Sequence, residues 1–201
     1  MEKKAYILIG RSGCGKGTQS KLLIEQLEKQ NRKVFSVETG SKFREFIKGD
    51  TYSSKLAKEI GDRGELQPMF LALSLWATDL ISNMKGDEDL LLDGMPRKKD
   101  QADVLHSVFG FYGYEKPKVI YVNVSREWSE ARLLARGRGD DEVEKIKRRM
   151  DWFETDVMPV VDFYRDHREY DFLDINGEQT IEEVHQEIMD NLSRTSKAES
   201  L

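Results

Sequence analysis

The segment Gly10–Gln19, GRSGCGKGTQ, is the feature that most restricts how this chain can fold. It follows a short apolar run, Ala5–Ile9, and precedes a stretch with helical periodicity, Gln19–Gln30. Glycines let the backbone turn tightly with its N–H groups aimed inward, and those donors form an anion site together with the positive end of a helix. Because Lys16 follows the glycines at the right spacing, the segment indicates a phosphate-binding loop and argues against an incidental glycine-rich turn.

Further short apolar segments alternate with helical patterns along the rest of the chain. The predicted strands are Lys33–Val37, Leu90–Asp93, Val119–Val124 and Phe172–Ile175, and the predicted helices include Met69–Met84, Glu127–Ala135 and Val143–Phe153. Such alternation predicts an α/β fold in which helices cover both faces of a parallel sheet. The polar segment Ser41–Gly64 contains two helix-like pieces and no strand, so it predicts a small helical insertion.

Composition limits the class of protein. The chain has 201 residues, of which 38% are hydrophobic and 34% charged, as expected for one soluble domain with a full core. No apolar run approaches the roughly 20 residues that span a bilayer, and the first residues lack a signal-peptide pattern, so we expect a cytoplasmic protein without a membrane partner. The net charge of −5 argues against nucleic-acid binding, and the single cysteine excludes an internal disulfide.

A carboxylate at the end of a predicted strand is the natural partner of a phosphate loop. Asp93 ends the apolar run LLLD, where it would lie beside the loop and hold Mg²⁺ directly or through water. Thr18, the first hydroxyl after Lys16, is a further candidate for the metal. Without a phosphate loop, such an aspartate would more often form a turn. The loop itself does not name a reaction, because GTPases, transport ATPases and small-molecule kinases all use one.

Three more segments make the prediction specific. They are ETGSKFR (Glu38–Arg44), DGMPRKKDQA (Asp93–Ala102) and RLLARGRGDDEVEKIKRRM (Arg132–Met150). With the loop they resemble, in order, the adenylate kinase family of nucleoside monophosphate kinases, from Tyr6 to about Met189. The resemblance implies a P-loop NTPase fold: a five-stranded parallel sheet with helices on both faces, a helical NMP-binding insertion and a minimal lid. It implies one domain, 1–193, made of a core (1–39, 65–135 and 141–193), the insertion (40–64) and the lid (136–140), followed by a polar tail, 194–201.

The resemblance also implies an activity and a set of site residues. The activity is reversible, Mg²⁺-dependent phosphoryl transfer, ATP + AMP = 2 ADP, by a monomer that holds no zinc. The implied ATP-binding residues are Gly13, Cys14, Gly15, Lys16, Gly17, Thr18, Arg136 and Gln179. The implied AMP-binding residues are Thr39, Arg44, Glu65, Leu66, Gln67, Gly94, Arg97, Gln101, Arg138 and Arg149. The implied catalytic residues are Lys16, Arg97, Arg136, Arg138 and Arg149.

The chemistry independently favours arginines. A nucleoside monophosphate attacks with an oxygen that is already anionic, so no general base is needed and two crowded phosphate chains must be neutralised and aligned. Planar guanidinium groups that stay charged and bind in bidentate fashion suit this task. An isolated arginine is more often a solvated surface charge. For this reason Arg132, which could form an internal ion pair, is left out. The histidines lie outside the motifs and are interpreted as surface or packing residues: His106, His167 and His185.

The chain departs from the family pattern at three places. Ser41 stands where the family's T-G-D has a carboxylate, Met95 replaces the phenylalanine of D-G-F-P-R, and the lid is reduced to Gly137–Gly139. This lid is shorter even than that of the family's short-lid members.

Other functions remain as alternatives. One is a kinase for CMP or UMP, although the residues after Arg97 do not match the asparagines that such enzymes favour. Another is a nucleotide-binding module of the same fold without turnover. A GTPase switch is disfavoured because no Asn-Lys-x-Asp sequence occurs. Gln101 either reads the adenine edge or is an exposed residue at the start of a helix.

Overall fold

A five-stranded parallel sheet organises this computed structural model, which describes residues 2–138 and 141–198. The strands are β1 (Ala5–Ile9), β2 (Val34–Glu38), β3 (Asp89–Asp93), β4 (Lys118–Asn123) and β5 (Asp171–Asn176). Their order across the sheet is β2-β3-β1-β4-β5. β1, β3 and most of β4 are buried apolar runs, as expected for strands that are covered on both faces.

Helices connect the strands. They are α1 (Lys16–Lys29), α2 (Thr39–Phe46), α3 (Tyr52–Asp62), α4 (Met69–Asn83), α5 (Lys99–Tyr112), α6 (Arg126–Arg136), α7 (Val143–Trp152), α8 (Met158–Asp166) and α9 (Ile181–Ala198). A π-helical turn, Phe153–Val157, joins α7 to α8. None of the helices in the described ranges is both long enough and apolar enough to cross a membrane.

The two faces of the sheet carry separate hydrophobic cores. On one face, Trp76 of α4, Leu105 of α5 and Tyr164 of α8 pack against the sheet. On the other face, Leu23 of α1 and Ile188 of α9 pack against it. Helices therefore cover both faces of the sheet and bury its central strands, which confirms the predicted fold class.

The strand order places a crevice at the carboxyl ends of the central strands. After β1 the chain moves to β2 at one edge, returns to β3 and then crosses to β4 on the other side of β1. In the register of β1 and β3, Leu8 lies opposite Asp93, so the phosphate loop and the strand-end carboxylate emerge side by side. Ligands of open α/β sheets bind at this kind of switch point.

Some boundaries differ from those predicted. α1 begins at Lys16, inside the loop motif, because the left-handed Gly15 (φ +97°) reverses the chain immediately before it. α9 continues through Ala198, so much of the predicted tail is helical; 199–201 and two residues of the predicted lid, Gly139 and Asp140, lie outside the described residues.

Candidate active site

The phosphate loop wraps around the side chain of its own lysine. Lys16 Nζ donates hydrogen bonds to the carbonyl oxygens of Gly10 and Arg11, at 2.6 and 2.9 Å, and lies 3.5 Å from Cys14 Sγ. A Cβ atom on Gly13 would lie 2.9 Å from Leu133 Cγ of α6, so the loop needs a glycine there to pack against that helix. Cys14 is buried and belongs to the hydrophobic core on the α1 and α9 face of the sheet.

Asp93 lies against the first turn of α1. Its Oδ2 accepts a hydrogen bond from the Ser20 hydroxyl at 3.0 Å, and it is 3.8 Å from the position of a Cβ on Gly17. Burial raises the pKa of Asp93, while the charge of Lys16 and the Ser20 hydroxyl oppose that rise. Thr18 is exposed in the same turn. A nearly buried carboxylate with one hydroxyl partner still has lone pairs for a hard divalent cation.

The metal-ligand set around Asp93 is small. No group of three or more His, Cys, Asp or Glu side chains in ranges 2–138 and 141–198 is arranged to hold a metal ion. The single buried carboxylate of Asp93 fits Mg²⁺, which commonly keeps several waters, binds one or two carboxylates and takes its other ligands from substrate phosphates.

A pocket lies beside the carboxyl end of β3 and has unpaired polar atoms on its wall. Thr39 and Gln67 line it, and both Thr39 Oγ1 and Gln67 Oε1 are buried without a hydrogen-bond partner in the described structure. Gln67 Nε2 donates to Ala57 O at 2.7 Å, which fixes the amide so that its oxygen remains unpaired. Trp76 and Met95 supply apolar wall. Buried polar atoms without partners are uncommon in proteins, so these two are available to hydrogen-bond a bound molecule.

Gln101 and Arg97 form the polar end of this pocket. Gln101 is 7% exposed, which excludes the alternative that it is a surface residue. Its Oε1 accepts a hydrogen bond from the Arg97 backbone N–H at 2.8 Å. Arg97 Nε donates to Gly94 O at 2.9 Å, across a turn in which Gly94 has φ +76°. Burial lowers the pKa of Arg97, as do the charges of Arg149 and Arg44, while Asp93 opposes them.

The arginines on either side of the short lid lie around one carboxylate, Asp141. Arg136 forms a bidentate pair with Asp141, and Arg149 Nη1 is 3.2 Å from Asp141 Oδ1. The Arg138 backbone N–H donates to Asp141 Oδ2 at 3.2 Å, whereas the Arg138 side chain is exposed. α6 and α7, which lie on either side of the short lid, thus carry arginines that converge on one point.

Other predicted residues lie at the edges of the site. Arg44 is half exposed and pairs with Glu38 at 2.7 Å, while Leu66 lines the pocket. The side chain of Glu65 is paired with Arg63 at 3.0 Å and is not among those that line the pocket. Gln179 lies between β5 and α9, where its amide donates to Glu187 Oε2 at 2.7 Å.

Sequence reasoning missed several residues of the site. Asp141 could have been found, because an acidic residue close to three arginines is a natural ion-pair partner. No local sequence pattern indicates the other two residues, Arg11 and Trp152. Arg11 contacts the site from the phosphate loop, and Trp152 contacts it from the end of α7. Arg132 stacks on Trp128 with its Cζ 4.5 Å from the ring centroid, and in the described part of the chain it has no ion pair of the kind expected.

The phosphate loop, the strand-end carboxylate and the converging arginines together define a P-loop phosphotransferase that acts between two phosphorylated substrates. The family model described as adenylate kinase matches residues 8–169. The chain therefore belongs to the adenylate kinase family.

Similarity to individual relatives extends over most of the chain. This chain is 34% identical to adenylate kinase 1 of Nostoc sp. over 182 residues, which cover 90% of this chain and 95% of the relative. It is 36% identical to the adenylate kinase of Mycolicibacterium paratuberculosis over 160 residues, 80% of this chain and 85% of the relative. These findings confirm the family resemblance, the enzyme class of nucleoside monophosphate kinase, and the reaction, phosphoryl transfer between ATP and AMP.

Proposed function

We propose that ATP binds at the phosphate loop, that AMP binds in the pocket beside β3, and that the phosphoryl group passes between them under the arginines of α6 and α7. The observation that carries this assignment is the pair of unpartnered buried atoms, Thr39 Oγ1 and Gln67 Oε1, in a pocket that also contains Arg97. A purine monophosphate offers hydrogen-bonding edges to such atoms and an anion to Arg97.

On the donor side, backbone N–H groups of Gly13–Thr18 hold the ATP phosphates, and Lys16 exchanges its loop carbonyls for phosphate oxygens. Asp93 and Thr18 are the candidates to hold Mg²⁺, Asp93 through water. When bound, Mg²⁺ neutralises charge that develops on the phosphates. Arg136 and main-chain groups near Gln179 contact the rest of the nucleotide.

On the acceptor side, Gln101 recognises the base. Its oxygen has a second lone pair beside the one used by the Arg97 N–H, so it can accept from the 6-amino group of adenine while Nε2 donates to N1. The segment Glu65–Gln67 and Thr39 flank the nucleoside. Gly94 lets the chain approach closely, and Arg44 and Arg97 meet the AMP phosphate.

At the point of transfer, Arg136, Arg138 and Arg149 neutralise the phosphoryl group while no protein base is required. Asp141 holds two of these arginines, Arg136 and Arg149. Phosphate oxygens carry more charge and offer the same bidentate geometry, so they compete with the Asp141 carboxylate for these guanidinium groups.

The proposed division of the domain follows from these roles. The insertion 40–64, which contains most of α2 and all of α3, closes over AMP, and the lid 136–140 closes over ATP, around a core of 1–39, 65–135 and 141–193. We further propose a cytoplasmic monomer that acts on free nucleotides and requires Mg²⁺.

The test is the rate of ADP formation from Mg·ATP with each of AMP, CMP, UMP and GMP. We expect the highest kcat/KM for AMP, then dAMP or CMP, and the lowest for GMP. GMP reverses the donor and acceptor pattern facing Gln101, and an unmade buried hydrogen bond costs roughly 1–3 kcal/mol, or about one to two decades in kcat/KM. If CMP or UMP were preferred over AMP, the assignment of AMP as acceptor would be wrong; no turnover with any acceptor would favour a binding module.

A further inference from the structure

Trp152, the last residue of α7, contacts two separate parts of the acceptor side. The centroid of its ring lies 5.3 Å from Arg97 Cζ, and its indole Nε1 donates a hydrogen bond to Gly64 O at 3.2 Å. Gly64 follows α3, at the end of the helical insertion. One side chain therefore contacts both the arginine assigned to the acceptor phosphate and the end of the segment that carries much of the acceptor site.

Arg97 depends on a neighbour of this kind for its orientation. Within the described ranges, no carboxylate lies at ion-pair distance from its guanidinium group, and its Nε hydrogen bond goes to Gly94 O. Arg149 and Arg44 add positive charge nearby. An aromatic ring attracts a guanidinium through its electron-rich face and leaves the outward N–H donors free for a phosphate. A carboxylate at the same place would occupy those donors.

The contact between Trp152 and Gly64 is part of a larger junction. Arg148 Nη1 donates to Arg63 O at 2.8 Å, one residue before Gly64. A Cβ on Gly64 would lie 3.0 Å from Lys145 Cα, and Gly64 itself has φ +71°. The end of the insertion therefore packs closely along α7, and the Trp152 hydrogen bond closes this junction next to Arg97.

The residue after Trp152 contacts the donor side of the site, where the phosphate loop lies. Phe153, the first residue of the π-helical turn, lies with its ring centroid 4.6 Å from Arg11 Cζ in the phosphate loop. Consecutive aromatic residues thus support an arginine on the acceptor side and one on the donor side. Because the two contacts are separate, a change at Trp152 should affect one nucleotide and not the other.

We propose that Trp152 is a positioning residue for the acceptor nucleotide. Its ring holds the Arg97 guanidinium in the orientation that meets the acceptor phosphate, and its indole N–H holds the end of the insertion next to it. This inference rests on the proposed function, because it requires that Arg97 binds the phosphate of AMP.

The experiment measures kcat and the KM values for AMP and ATP in the wild type and in Trp152→Leu, Trp152→Phe and Trp128→Leu. Trp152→Leu removes the ring and should raise the KM for AMP about tenfold while the KM for ATP stays within about twofold. Trp152→Phe keeps a ring face but lacks the indole N–H, so it should recover only part of the affinity for AMP, and its remaining difference from the wild type measures the hydrogen bond to Gly64. Trp128→Leu removes a ring that stacks on a different arginine, and it should leave the KM for AMP unchanged.

The outcomes separate this inference from the proposed function. A wild-type protein that forms no ADP from AMP would contradict the proposed function itself. A wild-type protein that is active, together with an unchanged KM for AMP in Trp152→Leu, would contradict the role of Trp152 alone. Equal rises in both KM values, or a Phe variant as impaired as the Leu variant, would also contradict it. If Trp152→Leu does not fold, Trp152→Met, which also lacks a ring but packs flexibly, replaces it in the same comparison.

Discussion

Asp141 accepts two hydrogen bonds from the Arg136 guanidinium, Nε to Oδ2 and Nη2 to Oδ1, each at 2.8 Å. Its side chain has no exposed surface, and it also accepts from the Arg138 backbone and from Arg149. Arg136 and Arg149, both assigned to phosphoryl transfer, are thus held on a single buried carboxylate.

Asp141 should make the stability of the fold depend on pH. Burial acts to raise its pKa, but the hydrogen bonds and charges of Arg136, Arg138 and Arg149 outweigh burial, so the pKa lies below its ordinary value. A carboxyl with a lowered folded-state pKa stabilises the fold above the unfolded pKa of about 3.9, and this stability is lost as the pH falls through the folded pKa. Asp141→Asn should therefore lower the free energy of unfolding by about 1.5–3 kcal/mol at pH 7.

Urea unfolding of the wild type and Asp141→Asn at pH 7, 5 and 3 measures this effect. The difference in stability between the two proteins should narrow below about pH 4, because the Asp141 carboxyl of the unfolded wild-type chain takes up a proton there before the folded state, with its lowered pKa, does. Asp162→Asn is the control, because Asp162 pairs with Arg165 at the surface and such pairs contribute about 0–1 kcal/mol. A difference that stays constant across this pH range would argue against the assigned charge state.

Lys16→Met should nearly abolish turnover while the protein stays folded. The lysine hydrogen bonds to Gly10 and Arg11 are lost, but the loop backbone can still hold phosphates. Loss of a charge that meets the transferring group should lower kcat by roughly 10²–10³. The assay is ADP formation at saturating substrates, with circular dichroism to show that the variant is folded. Near-normal activity in a folded variant would remove Lys16 from the mechanism.

The arginines should separate into two kinetic groups. Arg44 lies at the acceptor side, and its contact with the AMP phosphate is made in the ground state, so Arg44→Ala should mainly raise the KM for AMP. Arg136→Ala and Arg149→Ala should chiefly lower kcat, by roughly 10³–10⁵. Arg165→Ala, at an exposed arginine on α8, serves as the control. If Arg44→Ala weakened ATP binding and left AMP unaffected, the two nucleotide sites would be reversed.

Gln101→Ala should reduce discrimination between acceptors more than it slows the reaction with AMP. The Arg97 N–H fixes the orientation of the Gln101 amide, and only an amide held in one orientation can distinguish adenine from guanine. The ratio of kcat/KM for AMP to that for GMP should fall by about tenfold or more. The measurement compares both monophosphates at fixed Mg·ATP, and an unchanged ratio would assign base recognition to other residues.

Closure of the insertion should be visible by hydrogen exchange. A bisubstrate analogue of two adenosines joined by phosphates should protect backbone amides in 41–64, because exposed phosphate chains would otherwise lose phosphoryl groups to water. Gly137 and Arg138 should show the same protection at the lid. The exchange of α9, which packs on the opposite face of the sheet from the pocket, provides the reference. Exchange that is unaltered in both segments at saturating analogue would contradict closure.

The strands and the phosphate loop could be predicted from the sequence because their signals are local. A buried strand is a short run of apolar residues, and the loop is a fixed spacing of glycines around Lys16, so neither depends on distant residues. The predicted strands agree with those of the structure to within one residue at each end. The start of α1 was placed too late because the loop glycines conceal how early the helix begins.

The sequence by itself determined the class of protein, through the order and spacing of the loop, Asp93 and the arginine segments. Only the tertiary structure decided which side chains face the pocket: it buried Gln101, turned Glu65 toward Arg63, and left the hydroxyl of Thr39 without a partner. It also brought Trp152 onto Arg97, far away in the chain. Such contacts depend on how helices pack across the sheet, and that packing is set by the combined shape of many side chains, which no local spacing of residues encodes.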